Sequence, residues 1–60
     1  MDINFKNFEK DEDWYNAGFR FVDWYDNKET RTYIITNGLV SLIMIDLGNG
    51  WCKLDQVFID

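Results

Sequence analysis

Residues 36–51 read Thr-Asn-Gly-Leu-Val-Ser-Leu-Ile-Met-Ile-Asp-Leu-Gly-Asn-Gly-Trp. An apolar, β-branched run lies here between two Asn-Gly pairs, Asn37-Gly38 and Asn49-Gly50. Asn-Gly is the strongest short hairpin signal, because a type I′ turn needs positive φ at both central residues. Working outward, Asp26-Asn27-Lys28-Glu29 is a weaker turn of the same kind. No proline interrupts the chain, so nothing blocks a continuous sheet. The turns predict four strands, at residues 18–26, 29–36, 39–48 and 51–59, joined as an antiparallel meander.

Two-residue loops would fix the register. Thr36 would oppose Leu39, Tyr33 would oppose Leu42, Asp46 would oppose Lys53, and Trp24 would oppose Arg31. The last two pairs join opposite charges and place a cation over an indole, both favourable across strands. Side chains alternate along a strand, so this register also assigns faces. Phe19, Phe21, Ile34, Leu39, Ile43, Ile45, Leu47, Cys52, Leu54 and Phe58 form the expected core face. Val22, Trp24, Tyr33, Ile35, Val40, Leu42, Met44, Trp51, Val57 and Ile59 share the other with Arg20, Arg31, Asp46, Lys53 and Asp55. That second face is too apolar for a plain solvated surface.

Residues 1–17 must supply a cover. Ile3 and Phe5 alternate with Asn4 and Lys6, as in a short strand or extended arm. Residues 9–17 fit a short helix with acidic residues in its first turn and Gly18 just past its end. Phe8, Trp14 and Tyr15 would be its apolar anchors. The expected class is therefore mainly β, with α+β as the variant. It is one domain over 1–60, a four- or five-stranded antiparallel meander over 18–60, curled or closed as an SH3-like barrel, with a short N-terminal helix or arm over 1–17. One short helix cannot cover both faces of such a sheet.

Sixty residues bury only about 60% of the surface their unfolded chain exposes. A content of 47% hydrophobic and 18% aromatic residues is nonetheless enough to fold. Eleven acidic and six basic residues give a net charge of −5. Eight of the eleven fall within residues 1–29. A net negative body repels phosphate, which argues against nucleic acid and anionic membrane as partners and for a basic one. Lone Cys52 cannot form an internal disulfide, no leader pattern is visible, and no apolar run approaches the length of a membrane span. A cytoplasmic location is expected.

Catalytic machinery is not visible. A nucleophile needs a base to activate it, and Cys52 has no histidine anywhere in the chain. One cysteine without histidine cannot build a zinc site. Gly48-Asn49-Gly50 lacks the Lys and Ser or Thr of a phosphate loop. The cluster Glu9-Lys10-Asp11-Glu12-Asp13 lacks calcium-loop spacing, and a 60-residue sheet offers no deep cleft for carboxylate chemistry. No enzyme activity and no cofactor or metal are expected.

Two contact surfaces remain. Glu9, Asp11, Glu12, Asp13, Asp23, Asp26 and Glu29 are read as one acidic edge for a basic protein groove. Such carboxylates can stand in for nucleic-acid phosphates before Lys and Arg, although a charge run is ordinarily a solvated helix start or loop. Trp24, Tyr33 and Trp51 are read as anchors on the second face, since aromatic residues dominate interface energetics. The chain, tiny, acidic and without catalytic residues, is similar in size and charge to phage or mobile-element inhibitors of host nucleic-acid enzymes, some of which mimic DNA. That resemblance covers no motif. It implies an inhibitor or regulator that docks on a larger, basic protein such as a nucleic-acid-processing enzyme. Two alternatives come from other classes. One is a structural subunit forming a homodimer or assembly through an apolar sheet face. The other is a nucleic-acid binder that stacks bases on Trp24, Tyr33 and Trp51.

Overall fold

The computed structural model describes residues 5–59. A 3-10 turn, Phe5–Asn7, leads into helix α1, Asp11–Asn16. Strands β1 (Arg20–Asn27), β2 (Thr30–Thr36), β3 (Val40–Gly48) and β4 (Trp51–Ile59) follow. They form one antiparallel sheet in the order β1-β2-β3-β4. The expected mainly-β meander with a short N-terminal helix is the architecture found. Phe5, expected in a strand or extended arm, lies in the 3-10 turn instead, and Ile3 falls outside the described residues.

At six residues, α1 is too short to persist without tertiary support. Its first turn carries Asp11, Glu12 and Asp13, which complement the helix dipole. Asp13 Oδ2 also accepts hydrogen bonds from the Glu9 and Lys10 amides at 3.1 and 3.0 Å. The helix ends in a Schellman motif. Phe19 N–H donates to Trp14 O, Gly18 N–H donates to Tyr15 O, and Gly18 takes φ 95°. Just before α1, the chain runs along the outer edge of β4. Cys52 N–H donates to Glu9 O at 2.8 Å, and Asp11 N–H donates to Gly50 O at 2.9 Å.

The turn at Asn49-Gly50 is the expected one, with φ 56° and 84° and Gly48 opposite Trp51. The other two hairpins close one residue later than expected. Asn37 does not take positive φ. Its side-chain Oδ1 instead accepts from Leu39 N and Val40 N, both at 2.8 Å, which moves the turn to Gly38-Leu39. Thr36 therefore faces Ser41 rather than Leu39, and Tyr33 faces Met44 rather than Leu42. In the first hairpin the loop is Lys28-Glu29, and Trp24 faces Tyr33 rather than Arg31. Arg31 still reaches the Trp24 ring on the diagonal, with Cζ 4.5 Å from its centroid.

Bulges change the faces. One at Val22 in β1, one at Leu47 in β3 and one at Asp55 in β4 each insert a residue between paired neighbours. Gly48 N–H, displaced at the Leu47 bulge, is taken by Asp46 Oδ1 at 2.8 Å. Asp46 consequently opposes Cys52, and Lys53 opposes Ile45. The expected Asp46–Lys53 pair is thus replaced, with the two residues on opposite faces.

The expected core face is largely inverted. Ile35, Leu42 and Met44 have no exposed surface and Tyr33 is buried, whereas Ile34, Ile43 and Ile45 are only half-buried. Phe21, Leu39, Leu47 and Phe58, also placed in the core by the expected register, are exposed. Phe19, Cys52 and Leu54 are placed as expected. The N-terminal segment packs Phe8 and Trp14 onto the Tyr33–Met44 face, with Phe5, Val40 and Leu54 at the margin. Phe5, Phe8 and Phe19 meet with ring centroids 5.7–6.1 Å apart. The opposite face, centred on Ile34, Ile43 and Ile45, carries no layer from residues 5–17.

Candidate functional site

On the covered face, beside α1, the packing leaves a groove of about 260 Å³ lined by Asp11, Trp14, Phe21, Trp24, Arg31, Tyr33 and Asp46. Its floor is a hydrogen-bonded triangle. Tyr33 OH donates to Asp11 Oδ1 at 2.6 Å, and Trp14 Nε1–H reaches both Tyr33 OH at 3.1 Å and Asp11 Oδ1 at 3.3 Å. The triangle ties the helix to β2. Burial first, then the bond to Asp11, pushes the Tyr33 hydroxyl far above an ordinary tyrosine, so it stays protonated. Cys52, beneath the same region, is buried, and that burial raises its thiol pKa. A thiol so placed is a poor nucleophile.

The walls of the groove are aromatic and accessible. Phe21 and Trp24 are 53% and 49% exposed, and the Phe21 ring lies 6.2 Å from that of Tyr33. Arg31 stacks on Trp24 and pairs with Asp26 through Nε–Oδ1 at 3.0 Å, the one ion pair among the described residues. Asp46 closes the far side, because β2–β3 pairing sets it opposite Arg31. Of the groove residues, Trp14, Phe21, Arg31 and Asp46 were not expected as site residues. The opposition of Arg31 and Asp46 becomes visible only once the hairpin register is known.

The seven carboxylates expected to form one edge are dispersed by the fold. Asp11 lies in the groove and Asp13 caps α1. Glu9, Glu12 and Glu29 are exposed. Asp26 shares the groove side with Arg31, but Asp23 pairs with Ile34 on the opposite face, its Oδ1 turned back to Trp24 N at 2.8 Å. The expected aromatic trio also separates. Tyr33, at 6% exposed, is a core residue and offers no ring to a partner. Trp24 flanks the groove, and Trp51 stands at the β4 edge under Lys10, whose Nζ is 4.8 Å from its ring centroid.

Among the described residues, no group of three or more His, Cys, Asp or Glu side chains is gathered to hold a metal ion. No helix among them is long and apolar enough to cross a membrane. Compared with known proteins, the chain matches no family model, no curated sequence and no solved structure.

Proposed function

We propose that the chain is a non-enzymatic, acidic protein-binding module, an inhibitor or regulator that docks on a basic surface of a larger protein. The observation that carries this reading is the groove. Two carboxylates, Asp11 and Asp46, meet the half-exposed rings of Phe21 and Trp24 there, on a chain of net charge −5. Aromatic rings beside charge are what interfaces use as anchors, and the net charge draws a basic partner by long-range attraction. A nucleic-acid-processing enzyme of a phage or mobile-element host fits as the partner class, because its surface is built to attract phosphate. A reducing, cytoplasmic setting suits the single thiol.

The test is capture of the partner from native cell extract, followed by association kinetics. Changing Glu9, Glu12 and Glu29 together to Lys should slow association and flatten its salt dependence, since peripheral charges act mainly on encounter. An unchanged association rate at low salt rejects the reading.

A second reading has its own support in the half-buried Ile34, Ile43 and Ile45 on the sheet face that no described segment covers, with exposed Val22, Tyr25 and Phe58 around them. A subunit that assembles through this face would be insensitive to salt and would be disrupted by Ile43→Lys.

A further inference from the structure

We propose that the groove between α1 and the β1–β2 hairpin receives an arginine side chain of the partner, an assignment that rests on the docking reading above. The groove is small, about 260 Å³, below the usual size of drug-like ligand sites and suited to one side chain. Its charge selects the occupant. Arg31 lines it, but that guanidinium is already paired with Asp26 at 3.0 Å and stacked on Trp24. Arg31 also stands opposite Asp46, but neither Asp11 nor Asp46 makes an ion pair among the described residues. The described hydrogen bonds engage only Oδ1 of each, from Tyr33 OH and Trp14 Nε1 to Asp11 and from Gly48 N to Asp46. An incoming anion would meet both carboxylates. An incoming guanidinium would meet two acceptors and aromatic faces.

Arginine fits these walls better than lysine does. Its planar fork pairs with carboxylates and stacks on rings, whereas an ammonium offers only a point charge. The fold already shows this chemistry at the same place, since its own Arg31 lies over Trp24 with Cζ 4.5 Å from the ring centroid. Trp14 and Tyr33 are buried and hydrogen-bonded to each other, so the floor is set before any ligand arrives, which lowers the ordering cost of binding.

The probes are the blocked tripeptide acetyl-Gly-Arg-Gly-amide and its citrulline counterpart, which keeps the shape and removes the charge. Binding is followed by the indole N–H resonances of Trp14, Trp24 and Trp51. The arginine peptide should shift Trp14 and Trp24 with a single saturating curve and leave Trp51 in place. Citrulline should bind roughly tenfold more weakly, the worth of one charge-assisted contact. Asp46→Asn keeps the acceptor for Gly48 N, so it should fold while weakening the arginine peptide by roughly threefold to tenfold.

Equal binding of the two peptides overturns the assignment, as does an arginine-dependent shift shared equally by all three tryptophans. The same holds if Asp46→Asn binds as tightly as the parent. These failures leave the docking reading standing if reversal of Glu9, Glu12 and Glu29 still slows association with the captured partner.

Discussion

Tyr33 is the residue on which α1, the sheet and the groove converge. Its hydroxyl donates to Asp11 and accepts from Trp14, and its ring packs on Trp14 and Phe21. Tyr33→Phe keeps the ring and removes the hydroxyl, leaving Asp11 and Trp14 with one weak mutual bond. A loss of about 1–3 kcal/mol should follow, read as a lower midpoint in urea. Tyr33 and Cys52 also give the fold an alkaline limit. Burial raises both pKa values in the folded chain. The folded state then holds protons that the unfolded state releases from about pH 8.5 for Cys and about pH 10 for Tyr. This part of the stability is complete below those values and is lost as pH rises above them. Thermal melts should be flat near neutrality and fall above about pH 9, less steeply in the Tyr33→Phe variant. Cys52 should react with a thiol reagent no faster than the domain opens, and rapid stoichiometric labelling of the native chain would contradict its placement.

At the level of elements, the hairpins divide by how their turns are made. Asn49-Gly50 is a type I′ turn, and a β-branched residue at Gly50, where φ is 84°, is strained whatever space surrounds it. Gly50→Val should cost about 1–3 kcal/mol, and native-like stability in that variant would refute the turn. This turn, the helix over residues 11–16 and its Gly18 terminus were legible in the sequence because each depends on local chemistry. The faces were not. Val22, Leu47 and Asp55 carry no mark of a bulge, yet each one-residue insertion exchanges inside and outside for the strand beyond it. Asn37 defeated the register differently, by using its side chain where the backbone was expected to bend. The groove inherited both obstacles, since Phe21 faces it only because of the Val22 bulge and Asp46 stands opposite Arg31 only because of the shifted second hairpin. Trp24, named from the sequence as an aromatic anchor, borders the groove, and Arg31 meets its ring on the diagonal despite the register shift.

For the whole molecule, the fold leaves two surfaces of opposite character. One side of the sheet carries α1 and a groove with carboxylates and rings, and the other carries half-buried isoleucines with no covering layer among the described residues. The acidic residues of the first half also divide into two sets. Asp11, Asp13, Asp23 and Asp26 serve the fold by bonding Tyr33, the helix start, Trp24 N and Arg31, so reversing them would confuse folding with binding. Glu9, Glu12 and Glu29 are exposed, and exposed charges contribute little to stability. They are therefore the right set to reverse. The most direct measurement is the association rate of the chain with its captured partner between low and moderate salt, for the parent and for the variant with all three changed to Lys. Docking through charge predicts a parent rate that falls steeply with salt and a variant that is slower at low salt with a nearly flat response. Equal rates and equal salt slopes for the two proteins would contradict it and assign binding to the Ile34–Ile43–Ile45 face.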